Sequence, residues 1–177
     1  MGIRTSTLDK EVAKLRKKQA TEDESYEIPI DPWPDAVNGE QLLDEIHRIL
    51  GCHVVAKREV LETATLWSAF TWFIDVVRVA PIAIITSPEK RCGKTNLSNV
   101  MRKFCLRPLS ASNITSSALF RSIEKWNPTL LLDETDSFMK DKEDLRGLLN
   151  SGHTRDNAFI IRCTGDDHEP TRFNTFG

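Results

Sequence analysis

The sequence lacks an apolar run long enough to cross a bilayer. Its most apolar stretch, Leu66 to Val79, is interrupted by Ser68, Thr71, Asp75 and Arg78, and falls short of the roughly 20 residues a spanning helix needs. It reads as a buried helix. There is no CxxC pair either: Cys52, Cys92, Cys105 and Cys163 lie far apart, which argues against a zinc ribbon and a disulfide scaffold. Reduced thiols and a cytoplasmic location are the expectation. The opening MGIRTSTLDKEVAKLRKKQ has no apolar segment behind its basic residues, so it predicts neither a secretory signal nor a membrane anchor. Nor is there an excess of positive charge: 24 Lys and Arg face 26 Asp and Glu, and any nucleic-acid contact needs a local basic patch. What remains is a chain of 177 residues, 40% hydrophobic, enough for one sizeable core and a small accessory segment.

Residues 8–20 (LDKEVAKLRKKQA) are good helix formers, followed by acidic TEDESYE and proline-bounded IPIDPWP; residues 1–34 read as a helical arm and linker. Leu42, Leu43, Ile46, Ile49 and Leu50 follow the spacing of an amphipathic helix ending near Gly51. A second helix is expected from about Glu59 into Val77, with Trp67, Trp72 and Phe73 packing in the core. Together these form a helical subdomain over residues 35–80. From Pro81 the pattern changes. PIAIIT reads as a buried strand, the helix after it carries Leu97, Val100, Met101 and Phe104, and a short strand follows at Arg107 to Ser110. A helix opened by Ser116 or Ser117 with Leu119, Phe120 and Ile123 inside then leads to the apolar run Thr129 to Leu132. Strand, helix, strand, helix, strand argues for an α/β fold with a mostly parallel sheet over residues 81–177. Lys142 to Asn150 reads as a further helix, and Ala158 to Cys163 with RFNTF as a C-terminal β-hairpin around TGDDHEPT.

The turn after PIAIIT reads Pro88-Glu89-Lys90-Arg91-Cys92-Gly93-Lys94-Thr95. It matches G-x-x-x-x-G-K-[ST] except that Pro88 replaces the first glycine, and its strand-before, helix-after context is the one a phosphate-binding P-loop requires. In such a loop backbone N–H groups face the phosphates, Gly93 permits close approach, Lys94 reaches the β and γ phosphates and Thr95 ligates magnesium. Asn96 completes the nucleotide-binding set. Downstream, Thr129-Leu130-Leu131-Leu132-Asp133-Glu134 is an apolar strand delivering two acids at its C-terminal end, where open α/β sheets place ligands. Asp133 is expected to hold the magnesium through water, and Glu134, with Lys94 the catalytic pair, to orient and deprotonate the attacking water. Asp136 is an auxiliary acid or an exposed helix cap. Asp166-Asp167-His168-Glu169 reads as a solvated hairpin tip rather than a metal site, because adjacent turn residues do not converge on one ion. Cys92 reads as a tolerated small side chain. Arg155, Arg162 and Arg172, with His153, bracket the hairpin and are the candidate contacts to a DNA backbone, against a surface or subunit-contact role.

TSPEKRCGKTNL, LFRSIEKWNPTLLLDETDSF, LRGLLNSGHTRDNAFIIRCTGDD and RFNTFG together resemble an uncharacterised bacterial P-loop family found in prophage, plasmid and mobile-element proteins, often beside primase or helicase modules. The resemblance spans the chain from about Asp31 onward. More distantly, the motif order is similar to that of AAA+ and superfamily III helicases, and implies that Ala158 to Phe176 is a hairpin able to enter a DNA-binding channel. It implies ATP and Mg2+ as cofactors, single-stranded DNA or replication proteins as partners, a homo-oligomer, and no membrane. Members of the family continue past Phe176-Gly177 into a sensor strand and an arginine finger, so the resemblance also implies a core truncated before the sensor strand. Two functions follow as expectations: the ATPase motor of a DNA-replication or mobile-element helicase, or a nucleotide-binding regulatory or defence-associated switch with little hydrolysis. A small-molecule kinase is a poorer fit, since no acceptor motif or lid arginine is readable.

Overall fold

The computed structural model describes residues 31–86, 92–112, 114–133, 143–164 and 168–177. The expected helical arm therefore lies outside the described residues, and so do Lys142, Asp166 and Asp167. The chain divides into two units, Met1–Asp35 and Ala36–Gly177. Of the first, the described stretch 31–35 holds no helix or strand.

In the second unit, α1 runs over Gly39–His53. It starts where it does because the Asn38 side-chain oxygen accepts the N–H groups of Glu40 and Gln41 at 3.0 and 3.2 Å, donors that a helix leaves without an internal partner. Its apolar stripe buries Ile46 and Leu50. The helix α2, Arg58–Phe70, turns Leu61, Ala64, Thr65 and Ser68 inward. The two hydroxyls are tolerated there because each donates back to a carbonyl of its own helix, Thr65 to Leu61 and Ser68 to Ala64, both at 2.8 Å.

The helix expected to reach Val77 stops at Phe70 and continues as a short 3-10 turn, Thr71–Phe73. A tertiary tie accounts for the break. The Thr71 hydroxyl donates to the Ser68 carbonyl at 2.7 Å and accepts the Leu106 N–H at 2.9 Å. This corrects the expectation for two aromatics: Trp72 is 48% and Phe73 60% exposed. The Trp72 indole N–H is used as an anchor, donating to the Phe104 carbonyl at 2.7 Å. Trp67 does pack against the core, and its N–H reaches the Pro81 carbonyl at 3.0 Å.

The helix α3, Lys94–Met101, follows the GKT turn. Leu97 and Met101 join Ile46, Leu50, Val54, Leu61 and Ala64 in one buried cluster. The helical segment and the helix after the loop thus share a core rather than forming separate bodies.

The strand β1, Pro108–Ala111, pairs in parallel with β2, Thr129–Leu132, from Pro108 opposite Thr129 to Ala111 opposite Leu132. They are connected through α4, Ser116–Trp126, whose Thr115 cap accepts the Ala118 N–H at 3.2 Å. Asn127, left-handed at φ 43, closes the helix. The inward face of α4, Leu119, Phe120 and Ile123, is the one its spacing predicts.

PIAIIT differs from expectation. Pro81–Thr86 holds no strand, and Ile84 is 81% exposed, although Ile85 packs toward the first cluster. A segment becomes a strand only when a neighbouring edge accepts its backbone groups, and among the described residues β1 and β2 pair solely with each other.

The helix α5, Glu143–Gly152, precedes the antiparallel hairpin of β3, Phe159–Thr164, and β4, Glu169–Asn174. Alternation along β3 and β4 turns Ile160 and Phe173 toward Leu119, Phe120, Ile123 and Leu148, with the Phe120 and Phe173 rings 4.7 Å apart. The opposite face of the hairpin leaves Ile161 exposed and carries Arg172 over the Phe159 ring at 3.9 Å.

Candidate phosphate and metal site

Because β1 and β2 are parallel, both deliver their C-terminal ends to the same edge. One further bond, Asp133 N–H to the Ala111 carbonyl at 3.1 Å, extends the ladder and fixes the backbone of Asp133 there. The start of α3 reaches the same place. Gly93 is left-handed at φ 83 and caps the helix without a side chain, a conformation that glycine adopts without strain. The Gly93 carbonyl already accepts the Leu97 N–H at 2.9 Å. The N–H groups of the first turn are left to face outward, and no acidic side chain occupies that turn.

The two motifs meet through side chains. Thr95 Oγ1 lies 3.3 Å from Asp133 Oδ2, across 38 residues of sequence. The pair borders an open cavity of about 220 Å³ whose wall also includes Ser98, Asn99, Ser110 and Ser112. Sequence reasoning missed these four. A signal was present: Thr95, Ser98 and Asn99 share one helix face by their i, i+3, i+4 spacing, and Ser110 and Ser112 flank the end of a strand that leads to the site.

A hydroxyl, a carboxylate and neutral polar groups form a hard-oxygen donor set of the kind magnesium accepts, with waters and phosphate oxygens supplying the remaining positions. Among the described residues no cluster of three or more His, Cys, Asp or Glu could hold an ion by itself. The donor set therefore fits an ion that arrives with a phosphate ligand, and Thr95 and Asp133 are the residues that would hold it.

Of the predicted nucleotide-binding residues, Cys92, Gly93, Lys94, Thr95 and Asn96 are placed at this turn. Pro88, Glu89, Lys90 and Arg91, the acid Glu134 and the auxiliary Asp136 lie outside the described residues. The Asn96 side chain is directed away from the phosphate position. Its amide donates to the His53 carbonyl at 2.6 Å, tying the end of α1 to the start of α3. Cys52, Cys92 and Cys163 are exposed, whereas Cys105 is buried. Burial pushes the Cys105 thiol up, partly offset by the Ser68 and Thr71 hydroxyls, so it stays protonated at neutral pH.

The three candidate DNA-contacting arginines separate. Arg155 directs its Nε to the Val77 carbonyl at 2.9 Å, its Nη2 to the Ile74 carbonyl, and lies over the Phe176 ring at 4.2 Å. Its neighbours are also knitted, with Arg78 paired to Asp156 and Val79 bridging Thr154. This guanidinium ties the Ile74–Val77 turn to the hairpin base. Arg162 and Arg172 are exposed on the hairpin itself, and His153 is exposed with its Nδ1 3.1 Å from Thr154 Oγ1.

Replacing Arg155 by alanine is expected to lower unfolding free energy by about 1 to 2 kcal/mol, the lower part of the range for hydrogen bonds to a charged group, because the side chain is solvent-accessible. Urea unfolding measures it. The paired Arg162→Ala should leave stability within about 0.5 kcal/mol, as for an unengaged surface position.

Comparison of the chain with protein-family models, with curated proteins and with solved structures gave no match.

Proposed function

We propose that this chain binds a nucleoside triphosphate, ATP in the first instance, with Mg2+, as the motor module of a DNA-replication or mobile-element helicase. The observation that carries the reading is the meeting of Thr95 with Asp133 at 3.3 Å, beside a helix that opens on a left-handed glycine and Lys94. A hydroxyl from a GKT turn and a carboxylate from the end of a parallel strand are the two groups that a P-loop site sets around magnesium. The ion supplies charge neutralisation at the phosphates. Lys94 reaches the β and γ oxygens, and Glu134 orients and deprotonates water for in-line attack. The exposed Arg162 and Arg172 on the β3–β4 hairpin favour coupling to a nucleic-acid backbone.

A second reading, a nucleotide-dependent switch with little turnover, is favoured by one feature of the cavity. Its described wall holds a carboxylate and neutral groups but no lysine or arginine beyond the loop. Rapid phosphoryl transfer in this class draws on an additional cation, typically an arginine finger.

Phosphate release by the wild-type chain and by Glu134→Gln, with and without single-stranded DNA at low salt, tests both readings. The motor reading predicts turnover that rises with DNA and is lost in Glu134→Gln with nucleotide affinity retained. Turnover that stays flat with DNA, and no DNA binding at low salt, eliminates it. Tight ATP binding with negligible turnover and a change of assembly state selects the switch.

A further inference from the structure

We infer that the loop between α1 and α2, Val54 to Lys57, is the seat of the nucleotide's base, with Val55 as the apolar platform under a purine ring. The inference rests on the phosphate site proposed above. It begins from the Asn96 hydrogen bond, which fastens the His53 carbonyl to the residue immediately after Thr95. The loop therefore starts one side chain away from the turn that receives the phosphates.

The loop is held at both ends. Val54 is buried in the same cluster as Leu97 and Met101 of α3, and its N–H closes α1 on the Leu50 carbonyl at 2.9 Å. The Lys57 carbonyl accepts the Val60 and Leu61 N–H groups and so opens α2. Between these anchors the chain is extended, with Val54 at φ −134 and ψ 125, and consecutive side chains of an extended chain point to opposite sides. Val54 faces the core; Val55 is fully exposed.

An exposed valine by itself is ordinary. What distinguishes Val55 is the backbone around it. The N–H and C=O groups of Val55 and Ala56 have no backbone partner among the described residues. A peptide N–H can donate to a ring nitrogen of a purine, and a peptide C=O can accept from an exocyclic amine. The loop thus combines an apolar surface for the flat face of a base with an unpaired polar edge for its rim, the mix that small-molecule sites use. Of the basic residues here, Arg58 is engaged with Glu62 at 2.7 Å, so the surface offered to the base is neutral.

The test compares ligands with and without a base. Calorimetric titration of the whole chain with magnesium ATP and with magnesium tripolyphosphate should show ATP binding at least about tenfold more tightly, the factor one well-made set of base contacts supplies. Val55→Asp, at a fully exposed position and so compatible with the fold, should remove most of that difference and leave tripolyphosphate affinity within about twofold. Val55→Ile should keep ATP affinity. Equal affinity for ATP and tripolyphosphate in the wild type overturns the base seat while leaving the phosphate site standing, as does a Val55→Asp variant that binds ATP normally. Failure to bind either ligand removes the phosphate site, and the base seat with it.

Discussion

Lys94→Ala will weaken magnesium ATP binding by roughly 10- to 100-fold, corresponding to the loss of charge-assisted hydrogen bonds of about 1.5 to 3 kcal/mol. The effect should be confined to the ligand. Lys94 is exposed at the first position of α3 and belongs to none of the buried clusters. Alanine is also a better helix former than lysine by a few tenths of a kcal/mol. The urea midpoint should therefore remain at the wild-type value while a fluorescent-nucleotide titration shifts strongly. A variant that merely unfolded would lose both. Lys94→Arg should recover only part of the affinity: the charge is retained, but the planar, forked guanidinium does not reproduce a compact ammonium. An unchanged nucleotide affinity in Lys94→Ala would remove the phosphate site from this turn altogether.

The parts of this molecule that were legible in its sequence are those where local pattern and tertiary demand agree. The α4 stripe of Leu119, Phe120 and Ile123 is buried as its spacing requires, and β1 and β2 are found where short apolar runs predict them. Gly93, Thr95 and Asp133 come together because a turn, a helix start and a strand end each favour one location for independent reasons. What was not legible depends on partners remote in sequence. Trp72 and Phe73 lie on a helical spacing that predicts burial, yet the Thr71 hydroxyl bonds to Leu106 N–H, the helix tightens, and their rings stay in contact with solvent. PIAIIT has strand composition, but composition supplies no partner edge. Arg155 reads like a free cation until the Ile74 and Val77 carbonyls and the Phe176 ring are set around it. Asn96, expected at the phosphates, is used to hold α1.

Gly152→Ala and Gly147→Ala, two identical substitutions on α5, are expected to change stability in opposite directions. Helix propensity alone favours both, by about 1 kcal/mol each. A methyl at Gly147 meets nothing within 4 Å, so propensity decides, and Gly147→Ala should stabilise the chain by about 0.5 to 1 kcal/mol. At Gly152 the same methyl would be driven into the backbone carbonyl oxygen of Thr175, with the carbonyl carbon at 3.4 Å behind it. That carbonyl has little freedom to retreat. Thr175 is buried, its N–H donates to the Ala158 carbonyl at 3.0 Å, its hydroxyl lies 3.2 Å from Ser151 Oγ, and Phe176 beside it is part of a buried cluster with Ala80 and Ala158. Overpacking against a fixed neighbour costs about 1 to 3 kcal/mol or more, which exceeds the propensity gain. Gly152→Ala should accordingly unfold at a lower urea concentration than the wild type and Gly147→Ala at a higher one, with all three giving the same slope. A Gly152→Ala variant as stable as the wild type would mean that the 175–177 segment does not pack against the end of α5. It would also loosen the position of Gly177 beside Asn127 and Pro128, the residues that lead into β2 and so toward Asp133.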